Sequence, residues 1–175
     1  MAERWKPSVT VAAIASRPRR GGDGSAVEYL LVEEETPEGL RLNNPAGHLD
    51  PGESPAEAVA REALEETARA FAPERLVGIY LARFERPATG EDVTYLRFAF
   101  AGSVGAQDPS RPLDAGIVGT LWMTLDELRA SRPRHRSSLV LRCIEDAAAG
   151  CAVPLERIVT DASVYAPEIR RGGEA

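Results

Sequence analysis

The chain has 175 residues, 43% of them hydrophobic and 27% charged, which gives enough apolar material for the core of one domain and too little length for two. The formal net charge is −6 and the pI is near 5.1. The composition therefore does not predict a basic surface of the kind that binds a nucleic-acid polymer or an anionic membrane. We predict one domain at 1–160 and a weakly structured tail at 161–175.

Sequence features also predict the compartment. The chain has no apolar run of the roughly 18 residues that a transmembrane helix needs, and 1–5 does not form the core of a signal peptide. Cys143 and Cys151 do not suggest a disulfide framework, so both are expected to be reduced thiols. These features predict a cytoplasmic protein, either a monomer or a homodimer.

Apolar and β-branched runs predict strands at 9–15, 28–33, 40–43, 76–84, 93–101 and 117–123. Helices are predicted from 55 to about 70, over a short stretch at 125–128 that a capping box of Thr124 and Glu127 opens, and at 137–149, where Gly150 follows. This order of elements predicts an α/β protein, a mixed β-sheet with helices on both faces.

The connection between the first two strands, at 17–24, is basic and rich in glycine. It is either a solvated hairpin tip or a loop in which Arg19 or Arg20 contacts a phosphate or nucleotide. The sequence leaves both interpretations open.

The start of the first helix is marked by a capping box. Ser54 is the predicted N-cap, Pro55 occupies the first helical position, and Glu57 reaches back to the cap. A loop containing Gly47 and Glu53 precedes it.

Three carboxylates share one stripe of this helix. At about 100° per residue, Glu65 and Glu66 fall roughly 60° and 40° to either side of Glu62, opposite the apolar face. Like charges at these spacings repel by a few tenths of a kcal/mol each, so they are either solvated or neutralised. Mg²⁺ would neutralise them, because it takes oxygen ligands. The alternative is a solvated face on which Arg61 and Arg69 pair with the glutamates.

The spacing G-x5-E-x7-R-E-x-x-E-E resembles the Nudix box, and is formed here by Gly47, Glu53, Arg61, Glu62, Glu65 and Glu66. The resemblance implies the Nudix fold, an α/β/α sandwich with a mixed sheet. The box normally continues with a glycine where this chain has Ala68, and alanine enters the left-handed conformation at a cost of about 1–2 kcal/mol. We therefore expect the helix to continue to about Ala70, bringing Arg69 near the carboxylates.

Further segments resemble the phosphatase NudJ branch of this family, at 6–12, 30–34, 44–49 and 96–100. Members of that branch release phosphate from nucleoside di- and triphosphates and from thiamine-pathway pyrophosphates. The chain departs from the branch in a longer turn at 17–26 and in Leu42, where an aromatic residue is usual.

The resemblance also implies the site. Glu62, Glu65, Glu66 and the carbonyl of Gly47 would bind Mg²⁺ or Mn²⁺, Arg61 would orient the glutamates, and Glu53 would support them from the loop. Glu62 is the favoured general base; Asp114 is the second candidate, although a loop aspartate is more often simply solvated.

The candidate substrate-binding residues are Arg97 and Asn44. Arg97 is the one charged residue on an otherwise apolar strand, so it either binds a phosphate or forms a buried pair with a glutamate. Asn44 opens the 44–49 segment that carries the resemblance. His48 is expected to be structural and is left out of the ligand set.

These observations predict a Nudix phosphohydrolase that uses a divalent metal to cleave small pyrophosphate-containing metabolites. Nucleoside di- or triphosphates and thiamine-pathway pyrophosphates are favoured as substrates. The alternatives are a non-catalytic Nudix module that senses a nucleotide, and a Nudix hydrolase specific for ADP-ribose or another nucleotide sugar.

Overall fold

The computed structural model describes residues 5–19, 26–86 and 90–166. Its strands are β1 Ser8–Pro18, β2 Val27–Thr36, β3 Gly39–Asn43, β4 Ala46–His48, β5 Phe71–Arg86, β6 Glu91–Val104, β7 Ile117–Thr124 and β8 Val153–Pro154. Its α-helices are α1 Pro55–Thr67, α2 Leu125–Ala130 and α3 Leu139–Ala148. Single 3₁₀ turns occupy Arg132–Arg134, Leu155–Arg157 and Ala162–Tyr165. In this part of the chain no helix is both long and apolar enough to cross a membrane.

The sheet is organised around β1. The strand order is β3-β2-β1-β6-β5-β8, with β4 pairing to β1 and β7 to β2. β1 runs parallel to β6, whereas its pairings with β2 and β4 are antiparallel, so the sheet is mixed. β1 pairs with β2 at Ser16, Arg17 and Pro18, and its earlier residues Thr10 to Ala12 pair with β4 instead. The two long strands therefore diverge, and a crevice opens between them.

Helices cover both faces of the sheet. Val11 and Ala13 of β1 face a cluster that includes Ala58 and Val59 of α1. Ala12 and Ile14 face the opposite cluster, which contains Leu128 of α2 together with Val140 and Ile144 of α3. Successive side chains of a strand point to opposite faces, so β1 contributes to both cores. The predicted fold class, an α/β sandwich with a mixed sheet, is confirmed.

Both predicted capping boxes are present. At α1, Ser54 Oγ accepts from the Glu57 amide at 3.2 Å, and Glu57 Oε2 accepts from the Ser54 amide at 2.8 Å. At α2, Thr124 and Glu127 make the same two contacts. These reciprocal bonds satisfy amides that have no partner inside the helix.

The predicted end of α1 was wrong. The helix stops at Thr67, because Ala68 adopts the left-handed conformation with φ 53° and donates its amide to the Leu64 carbonyl. Ala68 is only 1% exposed, so burial of its methyl group, worth about 0.8 kcal/mol, offsets part of the backbone strain. Arg69 then points away from the carboxylates and donates to the Gly105 carbonyl and to Gln107 Oε1.

The loop after β6 is tied to this helix end. The amides of Gly105 and Asp108 donate to the carbonyls of Ala70 and Ala68, at 2.9 and 2.8 Å. Further on, the Asp114 amide donates to the Glu65 carbonyl at 3.1 Å. Residues 105–114 thus donate to one carbonyl in the last turn of α1 and to two in the segment that follows the helix.

Other boundaries differ by a few residues. β5 begins at Phe71 rather than at 76, because a register shift between Pro73 and Arg75 accommodates the proline. α3 begins at Leu139 and is followed by Gly150 at φ 82°. Of the tail predicted at 161–175, residues 167–175 lie outside the described part. Tyr165, inside it, donates its hydroxyl to Glu57 Oε2 at 2.9 Å.

The basic turn is described only in part. Arg17 and Arg19 both pair with Glu28, and Arg19 also contacts Glu127 at 3.2 Å. Arg20 lies outside the described residues. Both cysteines are free thiols; Cys143 is buried and Cys151 is exposed.

Candidate metal and substrate site

The site is built where β4 passes against α1. The Ala46 amide donates to Glu66 Oε2 at 2.9 Å. The next residue, Gly47, lies so close to the helix that a Cβ there would be 2.0 Å from Glu62 Cδ. Glycine is therefore required at this position, and it leaves the Gly47 backbone in contact with a carboxylate.

Arg61 holds the acidic residues together. Its guanidinium makes a two-point contact with Glu53, from Nε at 3.0 Å and from Nη2 at 2.8 Å. Its Nη1 donates to Glu62 Oε1 at 2.8 Å and to Glu65 Oε2 at 3.0 Å. The planar guanidinium suits such forked contacts with carboxylates. Hydrogen bonding from Arg61 lowers the pKa of Glu53, and the contact with Glu53 in turn raises the pKa of Arg61.

The two inner glutamates are poorly suited to carry charge without a cation. Burial raises the pKa of Glu66 to about 8; the Ala46 amide opposes that shift, while the nearby charges of Glu62, Glu34 and Asp114 add to it. Burial also raises the pKa of Glu62, against the effect of Arg61 and with further repulsion from Glu65 and Asp114. Burial and mutual repulsion both disfavour the charged form of these carboxylates. A positively charged ligand would relieve both effects, so the arrangement favours binding of a cation.

The residues present fit a hard divalent cation by their chemistry. Within residues 5–19, 26–86 and 90–166, no three His, Cys, Asp or Glu side chains are already arranged as a metal cage. Arg61 Nη1 lies between two of the glutamates and contacts both Glu62 and Glu65. The donor set is nevertheless all oxygen, with three glutamates beside a glycine carbonyl, and this is the type of site that Mg²⁺ prefers.

The structure brings Asp114 toward this group. Its backbone bond to Glu65 holds the loop against α1, and its charge is close enough to raise the pKa of Glu62 and Glu66. Its side chain is exposed.

A cleft of about 600 Å³ opens beside the carboxylates, on the α3 side of the sheet. Gly47 and His48 of β4 line it together with Arg97 of β6. Arg97 lies between Thr10 and Tyr80 in the register of the neighbouring strands. A small phosphorylated metabolite fits a cleft of this size.

Arg97 makes no hydrogen bond with the described residues, and its Nε and Nη1 are buried without a partner. Burial lowers its pKa, while the charges of Glu34 and Glu66 oppose that shift. The buried hydrogen-bonded pair that the sequence left open is therefore not formed. An arginine in this state has donors available for an anionic ligand.

The structure does not bring Asn44 into the cleft. Asn44 is fully buried, and its Nδ2 lies 3.5 Å from the Val140 carbonyl, beneath α3. The turn between β3 and β4 directs this side chain inward and leaves Asn43 on the cleft wall. His48 is exposed at the cleft, with its ring centroid 6.2 Å from that of Tyr95.

Sequence reasoning missed several cleft residues, namely Thr10, Glu34, Asn43, Phe84 and Tyr95. Thr10 is a polar residue inside an apolar strand, and Glu34 follows the buried stretch of β2. Either could have been noticed as a polar interruption of an apolar run. These residues meet in one cleft because β1 diverges from β2, and no local sequence pattern predicts that divergence.

Comparison with known proteins identifies the family of this chain. The NUDIX domain model matches residues 6–141. The chain belongs to the Nudix family. The phosphatase NudJ of Escherichia coli K12 is 35% identical over 156 residues, covering 88% of this chain and 92% of the relative. The prediction of a Nudix phosphohydrolase is confirmed.

Solved structures of Nudix proteins are similar to this chain. A Nudix hydrolase from Nitrosomonas europaea is 47% identical, with a TM-score of 0.76, and the match covers 89% of this chain and 98% of that one. The Nudix domain of Shewanella oneidensis NrtR, solved in complex with ADP ribose, is 16% identical with a TM-score of 0.63 over 84% of this chain and 90% of that one. The NrtR likeness shows a common fold alone.

Proposed function

We propose that this Nudix protein hydrolyses a phosphoanhydride bond in small pyrophosphate-containing metabolites, with a divalent metal ion as cofactor. Nucleoside di- or triphosphates and thiamine-pathway pyrophosphates are the favoured substrates, which accords with the similarity to NudJ phosphatases. The observation that carries the proposal is the junction of the α1 carboxylates with the cleft at Gly47, beside the unbonded guanidinium of Arg97.

Glu62, Glu65, Glu66 and the Gly47 carbonyl would hold Mg²⁺ or Mn²⁺. When bound, such an ion neutralises phosphoryl charge and lowers the pKa of water. Arg61 would keep Glu62 and Glu65 oriented, and Glu53 would fix Arg61 through its two-point contact. Arg97 would bind and position a phosphoryl group of the substrate.

Glu62 would accept the proton of the attacking water. Arg61 fixes the position of this carboxylate, and the close approach of Gly47 places it at the edge of the cleft. Asp114 is the second candidate for the general base. It ranks below Glu62 because its side chain is exposed and would have to move toward the substrate. Asn44 would require a change in the β3–β4 turn before it could touch substrate.

A screen of purified protein against pyrophosphate metabolites tests the proposal. The panel contains nucleoside di- and triphosphates, thiamine diphosphate and ADP-ribose, each with Mg²⁺, with Mn²⁺ and with EDTA, and both products are identified by ³¹P NMR. We expect metal-dependent turnover that EDTA abolishes and that a Glu65→Gln, Glu66→Gln double variant lacks. Turnover in EDTA, or an unaffected double variant, would contradict the proposed metal site.

The same screen separates the alternative functions. An ADP-ribose hydrolase would release AMP and ribose 5-phosphate and would leave thiamine diphosphate intact. A sensor module would bind a nucleotide without turnover under any metal condition. We propose a cytoplasmic enzyme, monomeric or homodimeric, with no nucleic-acid polymer or membrane as partner.

A further inference from the structure

Unsatisfied polar atoms are concentrated in the cleft. Buried side-chain atoms without a hydrogen-bond partner in the described chain include Thr10 Oγ1, Glu34 Oε1, Asn43 Oδ1, and Nε and Nη1 of Arg97. All of these residues line the same cleft, whereas other such atoms, including Asn44 Oδ1 and Trp122 Nε1, lie outside it. Native proteins leave few buried polar groups unpaired, so a concentration of them in one cavity indicates where a ligand supplies the missing partners.

The unpaired atoms fall into two chemical groups. Arg97 offers donors, which an anionic phosphoryl group satisfies. Glu34 and Asn43 offer oxygen acceptors, and a carboxylate has no donor of its own. Glu34 Oε1 lies 3.4 Å from Arg136 Nε in an ion pair that leaves the oxygen without a hydrogen bond. A ligand that satisfies both groups therefore combines an anionic part with hydrogen-bond donors.

The two acceptors lie on the same wall. Asn43 of β3 pairs with Val32 of β2, and Glu34 follows two residues later on that strand, so Glu34 and Asn43 are diagonal neighbours on one face. Such neighbours are about 7–8 Å apart between Cβ atoms and can contact one group placed between them. An amino group has two N–H donors and can satisfy both oxygens. An oxo group offers only acceptors.

The other wall is aromatic. The ring centroids of Phe84 of β5 and Tyr95 of β6 are 5.9 Å apart, and the ring centroid of His48 lies 6.2 Å from that of Tyr95. β5 and β6 lie across β1 from β2 and β3, so these rings and the acceptors border the cleft from different sides. Flat π-surfaces of this kind favour a flat heterocycle.

We infer that Glu34 and Asn43 select substrates whose heterocycle carries an exocyclic amino group, such as a cytosine or adenine nucleotide, over the oxo counterparts. This inference deepens the proposed function and rests on it for the placement of the phosphates at Arg97 and Gly47. Thr10, whose hydroxyl can donate or accept, contributes the remaining contact on the β1 side.

Matched substrate pairs test the inference. We expect the ratio of kcat/KM for CTP over UTP, and for ATP over ITP, to be at least about tenfold in the wild type, because an oxo group leaves the two acceptors unpaired. In Glu34→Gln the amide can donate to the oxo oxygen, so both ratios should fall toward one. Glu33→Gln is the matched control, since Glu33 is the neighbouring glutamate of β2, also pairs with an arginine, Arg134, and does not line the cleft; it should keep the wild-type ratios.

A binding measurement separates this inference from the proposed hydrolysis. Calorimetry in EDTA compares CMP with UMP for the wild type and for Asn43→Ser, which tests the cleft even if Glu34→Gln fails to fold. Preferential CMP binding that Asn43→Ser weakens supports the inference, whether or not any nucleotide is hydrolysed. Hydrolysis of all four triphosphates at similar rates would overturn the inference and leave the proposed function standing. Equal or absent binding of the two monophosphates would overturn it as well.

Discussion

Glu66 is a buried acidic residue at the proposed metal site. It is 8% exposed, and its one hydrogen bond to a described residue comes from the Ala46 amide. The raised pKa reflects a carboxylate that is held from water and near other acids. Such a side chain contributes to function where a cation or a developing charge lies beside it.

Glu66→Gln should leave the fold intact and lower kcat by at least about a hundredfold, because it removes a charged ligand next to the position where charge develops. The glutamine can still accept the Ala46 amide, so far-UV circular dichroism should not change. Phosphate release under saturating metal and substrate provides the measurement. A folded variant with near-wild-type kcat would refute the assigned metal site.

Arg97→Met should raise KM for the phosphorylated substrate at least about tenfold while changing the free energy of unfolding by less than about 1 kcal/mol, because no hydrogen bond is lost and a poorly solvated cation is removed. Steady-state kinetics and urea unfolding check the two parts. Unchanged kinetics with a loss of about 3–5 kcal/mol would instead identify a structural ion pair.

The acidic residues could be predicted from the sequence because helical periodicity alone places Glu62, Glu65 and Glu66 on one stripe. Arg97 was chosen as a candidate by contrast with its apolar neighbours, and it lines the cleft. Glu34 and Asn43 were not chosen, because their position in the cleft depends on the divergence of two strands. Asn44 was misplaced, since whether Asn43 or Asn44 faces the cleft is decided by a turn geometry that the sequence does not specify.

At the scale of elements, the helix starts could be predicted and one helix end could not. Each capping box is a local device of four residues, and both were found where expected. The end of α1 depends on a tertiary environment. The loop 105–114 donates to the carbonyls of Glu65, Ala68 and Ala70, and burial of the Ala68 methyl group offsets part of the backbone strain at that residue. These long-range partners outweighed the intrinsic preference of alanine.

Ala68→Gly and Ala63→Gly form a matched pair of variants that separates the backbone strain at Ala68 from the loss of a buried methyl group. Both alanines are 1% exposed, so both substitutions lose a buried methyl group and add chain entropy to the unfolded state. Only Ala68→Gly relieves a positive φ, so it should be less destabilising than Ala63→Gly by about 1–2 kcal/mol. Denaturant unfolding of both variants gives the comparison, and equal losses would show that Ala68 is unstrained.

At the scale of the whole molecule, the order of strands and helices predicted the class of fold but not its topology. The parallel pairing of β1 with β6 joins segments more than 80 residues apart, which local periodicity cannot register. That pairing, with β4 inserted at the divergence of β1 and β2, is what places the cleft beside α1.

A metal that binds only the folded state should stabilise the whole domain. At a hundred times Kd the gain is about 2.7 kcal/mol, which for this chain length corresponds to a rise in Tm of about 5–11 °C. Glu66→Gln should melt no lower than the wild type in EDTA at neutral pH, because glutamine avoids the cost of either protonating the buried carboxylate or burying its charged form, yet it should lose most of the rise with Mg²⁺ or Mn²⁺. Thermal melts of both proteins in each condition test this, and a flat response of the wild type would count against metal binding.

The bonds between residues 105–114 and the end of α1 have a consequence for hydrogen exchange. The amide protons of Gly105, Asp108 and Asp114 are held by the carbonyls of Ala70, Ala68 and Glu65, so they can exchange with solvent only when the helix end opens. We expect these three loop amides to be protected about as strongly as those in the last turn of α1, and to lose protection together with them. Exchange followed by NMR would show whether the loop and the helix open as one cooperative unit.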